Sequence, residues 1–137
     1  MNPKSLSASE LLIWGIVLHL LADWPLQNDW MSRNKANLLH SAGYVHATIH
    51  GLLLAIIFSW AAIPLAVTHL FIDTRKPVIW WSKLIRQTQP KSQYVILRGG
   101  RDNEEAVPIY DIGLEVRIWT DQVFHIFCVA VAALIIA

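Results

Sequence analysis

The chain has 137 residues, of which 55% are hydrophobic and 15% are charged, and its formal net charge is +1. Because soluble domains carry about 25% charged residues, this composition and the mean hydropathy of +0.42 favour a single integral-membrane domain over residues 1–137. The small net charge, without a basic stripe, excludes nucleic acid as an expected partner.

The first predicted helix, at about residues 8–24, begins at a capping box and ends before a proline. Ser7 and Glu10 have the spacing of a capping box, and Pro25 cannot continue a helix. The resulting segment of about 17 residues is just long enough to cross a bilayer.

The second and third predicted helices are separated by a very short link. The second, at about 42–62, follows Ser41, which we expect to act as its N-cap. The third, at about 64–81, begins with Pro64, a residue that suits the first turn of a helix. The fourth predicted helix, at about 113–137, is also apolar enough to cross a bilayer.

A polar insert at about residues 82–111 separates the third and fourth helices. Within it, segments 94–97 and 107–110 flank a turn-rich stretch and predict a small β-hairpin. The insert carries no catalytic signature, so a solvated cap is favoured over a binding role. The sequence therefore predicts an all-α integral-membrane fold, an up-down bundle of four transmembrane helices with this insert between helices 3 and 4.

Basic residues and tryptophans mark one side of the predicted bundle. In an up-down chain, the loop with Arg33 and Lys35 lies on the same side as the insert and its flanks, which hold most other basic residues. The positive-inside rule makes this side cytoplasmic and places both termini outside. Tryptophans that suit an anchor at the membrane interface flank the same side: Trp24, Trp30, Trp80 and Trp81.

Each predicted helix carries two ionisable residues spaced four apart. In a helix this spacing places both side chains on one face, one turn apart. Such a face is unfavourable in contact with lipid, because a charged group at the bilayer centre costs about 3 kcal/mol of free energy. The residues that must then face inward are His19, Asp23, His46, His50, His69, Asp73, Asp121 and His125.

These ionisable residues also share one depth in the predicted bundle. With alternating helix directions, every pair lies near the helix end on the predicted cytoplasmic side. Five His and three Asp in one layer supply the nitrogen and oxygen ligands of zinc, iron or manganese. A purely structural polar network is the alternative, but it would leave buried carboxylates poorly compensated, so we predict a metal site.

The number of donors favours two divalent cations over one. A single tetrahedral zinc uses four donors and would leave the other groups to orient the ligands. Two divalent ions bring four positive charges against the three aspartates, which gives a mildly positive site able to lower the pKa of bound water towards about 7. We therefore predict two zinc ions, with iron or manganese as alternatives.

The His and Asp residues lie in four short motifs. They are HLLADWPLQ at 19–27, HATIHG at 46–51, HLFID at 69–73 and DQVFH at 121–125. Together they resemble a family of small bacterial inner-membrane proteins of unknown function and, more distantly, the membrane-bound metal-dependent hydrolases. The similarity covers residues 11–76 and 118–130 and leaves out the insert. It implies a bacterial inner-membrane location, and the distant likeness implies hydrolysis by a metal held on intramembrane His and Asp residues.

The resemblance leads to the hypothesis of an enzyme that hydrolyses a lipid or other amphiphile entering from the cytoplasmic leaflet. A metal-activated water would be the nucleophile, and Asp23 or Asp121 would accept a proton. Arg117 would hold a phosphate or an oxyanion, although a role as a positive-inside anchor paired with Asp121 is favoured. Gln27 and Gln122 would hydrogen-bond substrate or satisfy helix ends.

Three other functions stay open on the sequence. A non-catalytic structural or accessory membrane subunit would use the metal as a staple between helices. A divalent-metal transporter also uses His-x3-Asp pairs, but four short helices leave little room for alternating access without a dimer. A di-iron oxygenase also uses intramembrane His, but the adjacent-His motifs of membrane desaturases are absent from the sequence. The expected partners are membrane lipid and an amphiphilic substrate, with a homo-oligomer or a place in a membrane complex left open.

A few residues outside these pairs bear on how the site is built. His40 lies in the first loop and is expected at the surface. Gly15 and Gly43 are expected to let helices approach closely. Pro77 removes the helical hydrogen bond to the carbonyl of Asp73, which either frees an acceptor beside the site or kinks the third helix.

Overall fold

The described part of the chain is built from helices. The computed structural model describes residues 6–86 and 114–137, and within these ranges it contains no strands. The side chains of residues 86 and 114–117 are not among those described. The helices are α1 (Ala8–Asp23), α2 (Asp29–Asn34), α3 (Ser41–Phe58), α4 (Ala62–Asp73), α5 (Lys76–Arg86) and α6 (Leu114–Ile136). The prediction of an all-helical chain is confirmed for these residues.

α1 begins at the expected capping box. The Ser7 hydroxyl accepts a hydrogen bond from the Glu10 amide at 3.4 Å, and the Glu10 carboxylate accepts one from the Ser7 amide at 2.9 Å. Each bond satisfies an amide that the helix itself leaves without a partner. The helix ends at Asp23, two residues before Pro25, so the Asp23 side chain lies in its last turn.

α3 and α4 form an antiparallel hairpin that reverses at a 3-10 turn, Ser59–Ala61. Ser59 has φ 50°, in the left-handed region, and ends α3. Pro64 lies in the first turn of α4, where its missing amide hydrogen is not needed. The reversal places His50 against His69, with ring centroids 3.5 Å apart. It therefore aligns the start of α3 with the end of α4.

His40, rather than Ser41, caps the N-terminus of α3. Its Nδ1 accepts a hydrogen bond from the Ala42 amide at 3.1 Å, which satisfies one of the first amides of the helix. Ser41 is instead the first residue of the helix. His40 is half-buried and lies 5.5 Å from the ring of Trp30, outside the cluster of the other histidines.

The chain turns between α4 and α5, where the sequence analysis expected one helix at about 64–81. α4 ends at Asp73, and Arg75 has φ 63°, in the left-handed region. Pro77 cannot donate to the carbonyl of Asp73, so a continuous helix would lose a hydrogen bond there. The proline lies instead in the first turn of a separate helix, α5, where that donor is not required.

α5 also changes the start of the polar insert. Residues 82–86 were assigned to the insert, but they belong to α5. The hairpin expected at 94–97 and 107–110 lies outside the described residues. The exposed side chains of Trp80 and Trp81 are on α5.

α2 is a short helix in a segment that the sequence analysis treated as a loop. Asn28 caps it by accepting a hydrogen bond from the Met31 amide at 2.9 Å, and the Met31 side chain is buried. The amide of Lys35 donates to the carbonyl of Met31 at 2.8 Å and ends the helix. Because α2 packs on α3, this segment folds back over the end of the bundle where α1 stops.

α1, α3, α4 and α6 form a four-helix bundle. α1 packs on α3 and α6, and α4 packs on the same two helices. Near the N-terminus of α1 the bundle is filled by an apolar layer, which consists of Leu11, Leu54, Phe58, Ala61, Ala62, Leu65, Val129 and Ala133. Gly15 lets α1 approach closely here, because a Cβ at this position would lie 2.5 Å from Cγ1 of Val129 and 3.0 Å from Cε2 of Phe58.

The outward faces of these four helices are apolar. Ile56 on α3 is 72% exposed and Leu134 on α6 is 76% exposed. Within residues 6–86 and 114–137, two stretches are long and apolar enough to cross a membrane, Ser41–Asp73 and Ile118–Ile136. The first of them contains the reversal at Ser59, so it consists of α3 and α4 side by side. An outer surface with so many exposed apolar side chains is unusual for a water-soluble bundle.

Candidate metal centre

All of the predicted metal ligands lie together at the end of the bundle opposite the apolar layer. The C-terminal ends of α1 and α4 meet the N-terminal ends of α3 and α6 here, so the i, i+4 pairs reach one depth. We call the space between these side chains the chamber. Its residues are His19, Asp23, His46, His50, His69, Asp73, Asp121 and His125. Asp121 has a side chain that is 20% exposed, and the others are buried.

Asp23 is surrounded by side chains from its own helix and from two other helices. Its Oδ1 lies 3.1 Å from Nε2 of His46 and 3.2 Å from Nε2 of His50. Its Oδ2 accepts a hydrogen bond from Nε2 of Gln122 at 2.6 Å and lies 3.4 Å from Nε2 of His19. A single carboxylate therefore connects α1 with α3 and α6.

Asp73 occupies the equivalent place at the end of α4. Its Oδ2 lies 3.2 Å from Nε2 of His69 and 3.4 Å from Nε2 of His46. Its Oδ1 lies 3.6 Å from Nε2 of His125, which is also 3.6 Å from Oδ2 of Asp121. Asp73 thus faces imidazoles from α3, α4 and α6 at once.

The imidazole rings of the chamber are packed against one another. His69 is central, because its ring centroid lies 3.5 Å from that of His50, 4.1 Å from that of His125 and 5.0 Å from that of His46. His19 lies 4.8 Å from His50 by the same measure. Imidazoles from all four long helices therefore border one small volume.

Several buried chamber atoms have no hydrogen bond of acceptable geometry among the described residues. They are Nδ1 of His46 and His50, Nε2 of His69 and His125, Oδ1 of Asp121 and both carboxylate oxygens of Asp73. Most buried polar atoms in proteins are hydrogen-bonded, and an unmet one costs about 1–3 kcal/mol. A cation in the chamber would give a partner to Nε2 of His69 and His125 and to the carboxylate oxygens of Asp73 and Asp121.

The spacing of the donor atoms is close to that of a metal coordination shell. Bonds of about 2.0–2.2 Å from zinc to nitrogen and oxygen imply ligand atoms about 3.3–3.6 Å apart around one tetrahedral ion. The nitrogen–oxygen distances around Asp23, 3.1 and 3.2 Å, are slightly shorter than this. The distances from Asp73 to His69 and His46 are 3.2 and 3.4 Å. The described side chains therefore have the donor types for a divalent metal, and small shifts would give them the spacing.

One group of donors forms a closed set. Its ligand atoms lie within 4.8 Å of one another, and its members are Asp23, His46, His50 and His69. All of these side chains are buried. Four protein ligands without an exposed position are typical of a structural tetrahedral site.

A second group is open on one side. Asp73, Asp121 and His125 also lie within 4.8 Å of one another, and Asp121 is half-buried. Three protein ligands beside an accessible position are typical of a catalytic site. A third set, His19 with His69 and His125, connects the two groups because it shares one histidine with each.

Lys35 enters the chamber, a role that the sequence analysis did not assign to it. Its ammonium nitrogen lies 3.1 Å from Oδ1 of Asp73, 3.6 Å from Oδ1 of Asp23 and 3.2 Å from Nε2 of His46. The sequence analysis treated Lys35 as a basic loop residue. The Asn28 cap is a local signal for the short helix before Lys35, but it does not predict that this helix packs against α3 and brings Lys35 to the chamber.

Gln122 joins the chamber between two of its residues. Its Nε2 donates to Asp23 at 2.6 Å, and its Oε1 lies 3.2 Å from Nε2 of His19. Of the two roles that the sequence analysis considered, contact with substrate or satisfaction of a helix end, neither describes this bridge. Gln122 instead orients a carboxylate and an imidazole, as residues around metal ligands commonly do.

A cavity of about 280 Å³ opens beside the chamber, and we call it the mouth cavity. Chamber carboxylates, including Asp73 and Asp121, form its floor, and the cations Lys35 and Arg75 are among its lining residues. Gln27 also lines it, and the Oε1 atom of this residue is buried without a hydrogen bond in the described part of the chain. The side chain of Arg117, predicted to hold an anion, lies outside the described residues.

Comparisons with known proteins give a family and no activity. No curated protein and no solved structure shows significant similarity to this chain. A family model described as "protein of unknown function (DUF3307)" matches residues 11–137. The match runs through the polar insert, which the motif resemblance left out. The chain therefore belongs to DUF3307, a family of proteins of unknown function.

Proposed function

We propose that this protein is a membrane-embedded metal-binding protein that hydrolyses a lipid or another amphiphile at a two-ion His/Asp centre. The observation that carries the proposal is the chamber, in which buried nitrogen and oxygen donors from four helices converge close to ligand spacing.

The proposed membrane location rests on the outer surface and the interior of the bundle. Its outer surface is apolar, while its ionisable groups point inward, and water would favour neither arrangement. α3 and α6, with 18 and 23 residues, have lengths of about 27 and 34 Å, against a hydrocarbon core of about 30 Å. α1 and α4 are shorter, so we propose that the bundle crosses with locally thinned lipid.

The orientation follows from the charges near the chamber. Arg33, Lys35 and Arg75 lie at the chamber end, and the positive-inside rule makes this end cytoplasmic. Trp24, Trp30, Trp80 and Trp81 are exposed near the same end, where aromatic anchors suit the interface. We therefore propose a bacterial inner-membrane protein with the chamber near the cytoplasmic face and both termini outside.

The case for two ions rests on the division of the chamber. The closed group alone has enough ligands for one tetrahedral zinc, and the open group remains for another ion. Two divalent ions would neutralise the three chamber aspartates and leave one positive charge. Zinc suits this mixture of imidazole and carboxylate ligands, and iron or manganese are the alternatives.

The case for hydrolysis rests on the open group and the mouth cavity. A bound divalent metal supplies an activated water and polarises a carbonyl or phosphoryl oxygen. Asp121 lies at the border of the chamber and the cavity, where it can accept a proton from that water. Asp23 contacts His46, His50 and Gln122, so we assign it the role of a metal ligand rather than that of the proton acceptor. Arg75 and Lys35 line the cavity and suit an anionic head group.

Elemental analysis of purified protein tests the metal centre. We expect about two zinc ions per chain in wild type, and a loss of metal in His46→Ala and in Asp121→Ala. His40→Ala is the matched control, because His40 caps α3 away from the chamber, and it should retain both ions. Unchanged metal content in both chamber variants would rule out the ligand assignment.

The closed group also supports a second candidate, a structural or accessory subunit whose metal staples the helices together. Four buried ligands can saturate one ion and leave no position for water. The ligand count separates the two functions. X-ray absorption that shows a water ligand favours hydrolysis, while full protein ligation of every ion favours the staple.

A further inference from the structure

The ammonium of Lys35 lies between the two donor groups of the chamber and contacts possible ligand atoms of both. It is within 3.1 and 3.6 Å of carboxylate oxygens from Asp73 and Asp23, and within 3.2 Å of Nε2 of His46. A divalent ion coordinated by these atoms would lie about 2.0–2.2 Å from each of them. Two cations cannot share that space, because their repulsion in a poorly screened interior is strong. Binding of metal therefore requires Lys35 to move.

The backbone of Lys35 is held firmly beside the chamber. Its amide donates to the carbonyl of Met31 at 2.8 Å. Its own carbonyl lies against α3 at Gly43, where a Cβ atom would be only 2.8 Å away. Gly43 thus lets the end of α2 pack directly on α3. This packing fixes the point from which the lysine side chain extends.

The side chain itself has a second position available. Its four-carbon stem is flexible, and a lysine at the edge of a membrane protein can extend its ammonium towards water. Lys35 is already 14% exposed and lines the mouth cavity, so the route out of the chamber is open.

We propose that Lys35 is a tethered counter-ion that fills the metal position in the metal-free protein and moves into the mouth cavity when metal binds. This inference rests on the proposed metal centre. In the metal-free state the lysine compensates Asp23 and Asp73, which would otherwise be buried carboxylates with too little positive charge nearby. Lys35 therefore stabilises the empty chamber and competes with metal for it.

Metal affinity of lysine variants tests the inference. Metal-stripped protein in detergent is titrated with zinc against a chromophoric chelator, for wild type, Lys35→Met and Lys35→Gln. We expect both variants to bind zinc about tenfold or more tightly, because the competing cation is gone. Lys76→Met is the matched control, since the Lys76 side chain is exposed on α5, and its affinity should equal that of wild type.

Thermal unfolding of the same proteins gives a second measurement. Without zinc, we expect Lys35→Met and Lys35→Gln to melt below wild type, and with saturating zinc we expect the difference to disappear. If Lys35→Met does not fold without metal, purification in zinc followed by competition with the chelator still gives its affinity. Lys35→Gln retains a polar side chain and provides an independent value.

The outcomes separate this inference from the metal centre. The counter-ion role is supported if the Lys35 variants bind zinc more tightly than wild type. It is also supported if the variants bind zinc and wild type does not. If wild type binds zinc and both variants bind it equally or more weakly, the counter-ion role is overturned while the metal centre stands. If no protein binds any divalent metal, both proposals fail.

Discussion

The two halves of the bundle are built from the same four helices but are stabilised differently. The apolar layer, with Phe58 and Val129 at its centre, is filled by hydrocarbon side chains that need only complementary shape. The chamber, around His69 and Asp73, is filled by polar groups, and several of their atoms have no hydrogen bond of acceptable geometry within the described residues. The apolar layer therefore needs no ligand to satisfy its side chains.

The difference indicates where function lies. A bundle of this size could be held by apolar packing in both halves, at no risk of unpaired buried charge. Ionisable groups in a membrane interior are costly, so they are informative about ligands and chemistry. The chamber is therefore the half that requires something from outside the chain, and we propose that this is a pair of divalent cations.

The largest expected effect comes from removing the most connected chamber carboxylate. Asp23→Ala should abolish metal binding and lower the free energy of unfolding by about 3–5 kcal/mol, because His46, His50 and Gln122 lose their shared acceptor. Metal analysis and unfolding in detergent measure both effects. Asp29→Ala, an exposed aspartate on α2, is the control and should change neither. A metal-replete, equally stable Asp23→Ala would contradict the account of this half.

The matching change in the apolar layer should affect stability alone. In Gly15→Ala the new Cβ meets Val129 Cγ1 at 2.5 Å, so Val129 or α1 must shift, at a cost of about 1–3 kcal/mol. Zinc content should remain that of wild type. The double variant Gly15→Ala with Val129→Ala removes the contact with Val129, and we expect it to recover part of the lost stability. Loss of zinc in the single variant would show that the halves are coupled.

A change around the ligands sharpens the comparison within the chamber. Gln122→Leu removes the bridge between Asp23 and His19 and should weaken zinc binding by about 10–100-fold without removing a ligand. Chelator competition measures the change. Val123→Ala, the neighbouring exposed position on α6, is the control. Wild-type affinity in Gln122→Leu would exclude a positioning role for this side chain.

The smallest effect on stability is expected at the border of the chamber. Asp121 is the most exposed of the chamber residues, so Asp121→Asn should change the free energy of unfolding by less than about 1 kcal/mol. We nevertheless expect the bound metal to fall from two ions to one, because the open group loses a charged ligand. Retention of both ions would argue against an open site at Asp121.

The chamber could be predicted from sequence because its signal is periodic. Pairs four residues apart lie on one helix face, and alternating helix direction brings such pairs to one depth. His19 with Asp23 and His69 with Asp73 are examples that the structure places as expected. The two ends of α1 could also be predicted, because the Ser7 capping box and Pro25 determine them through local backbone geometry.

Other parts of the site depend on contacts that no local pattern encodes. Lys35 reaches the chamber only because α2 folds back and packs against Gly43. The end of α4, by contrast, does have a local signal, the polar residues 73–76 before Pro77, and a proline there suits a kink within one helix as well as the start of a new helix. The position of Gln122 in the sequence of α6 does not distinguish it from a polar residue on the surface. The packing of α6 on α1 places it beside Asp23.

Anomalous diffraction at the zinc edge from crystals of the purified protein tests the central claim most directly. The account predicts two peaks inside the chamber, one among Asp23, His46 and His50 and one near Asp121, with Lys35 withdrawn into the mouth cavity. A chamber without an anomalous peak at the zinc, iron or manganese edge, and with Lys35 still between Asp23 and Asp73, would contradict it.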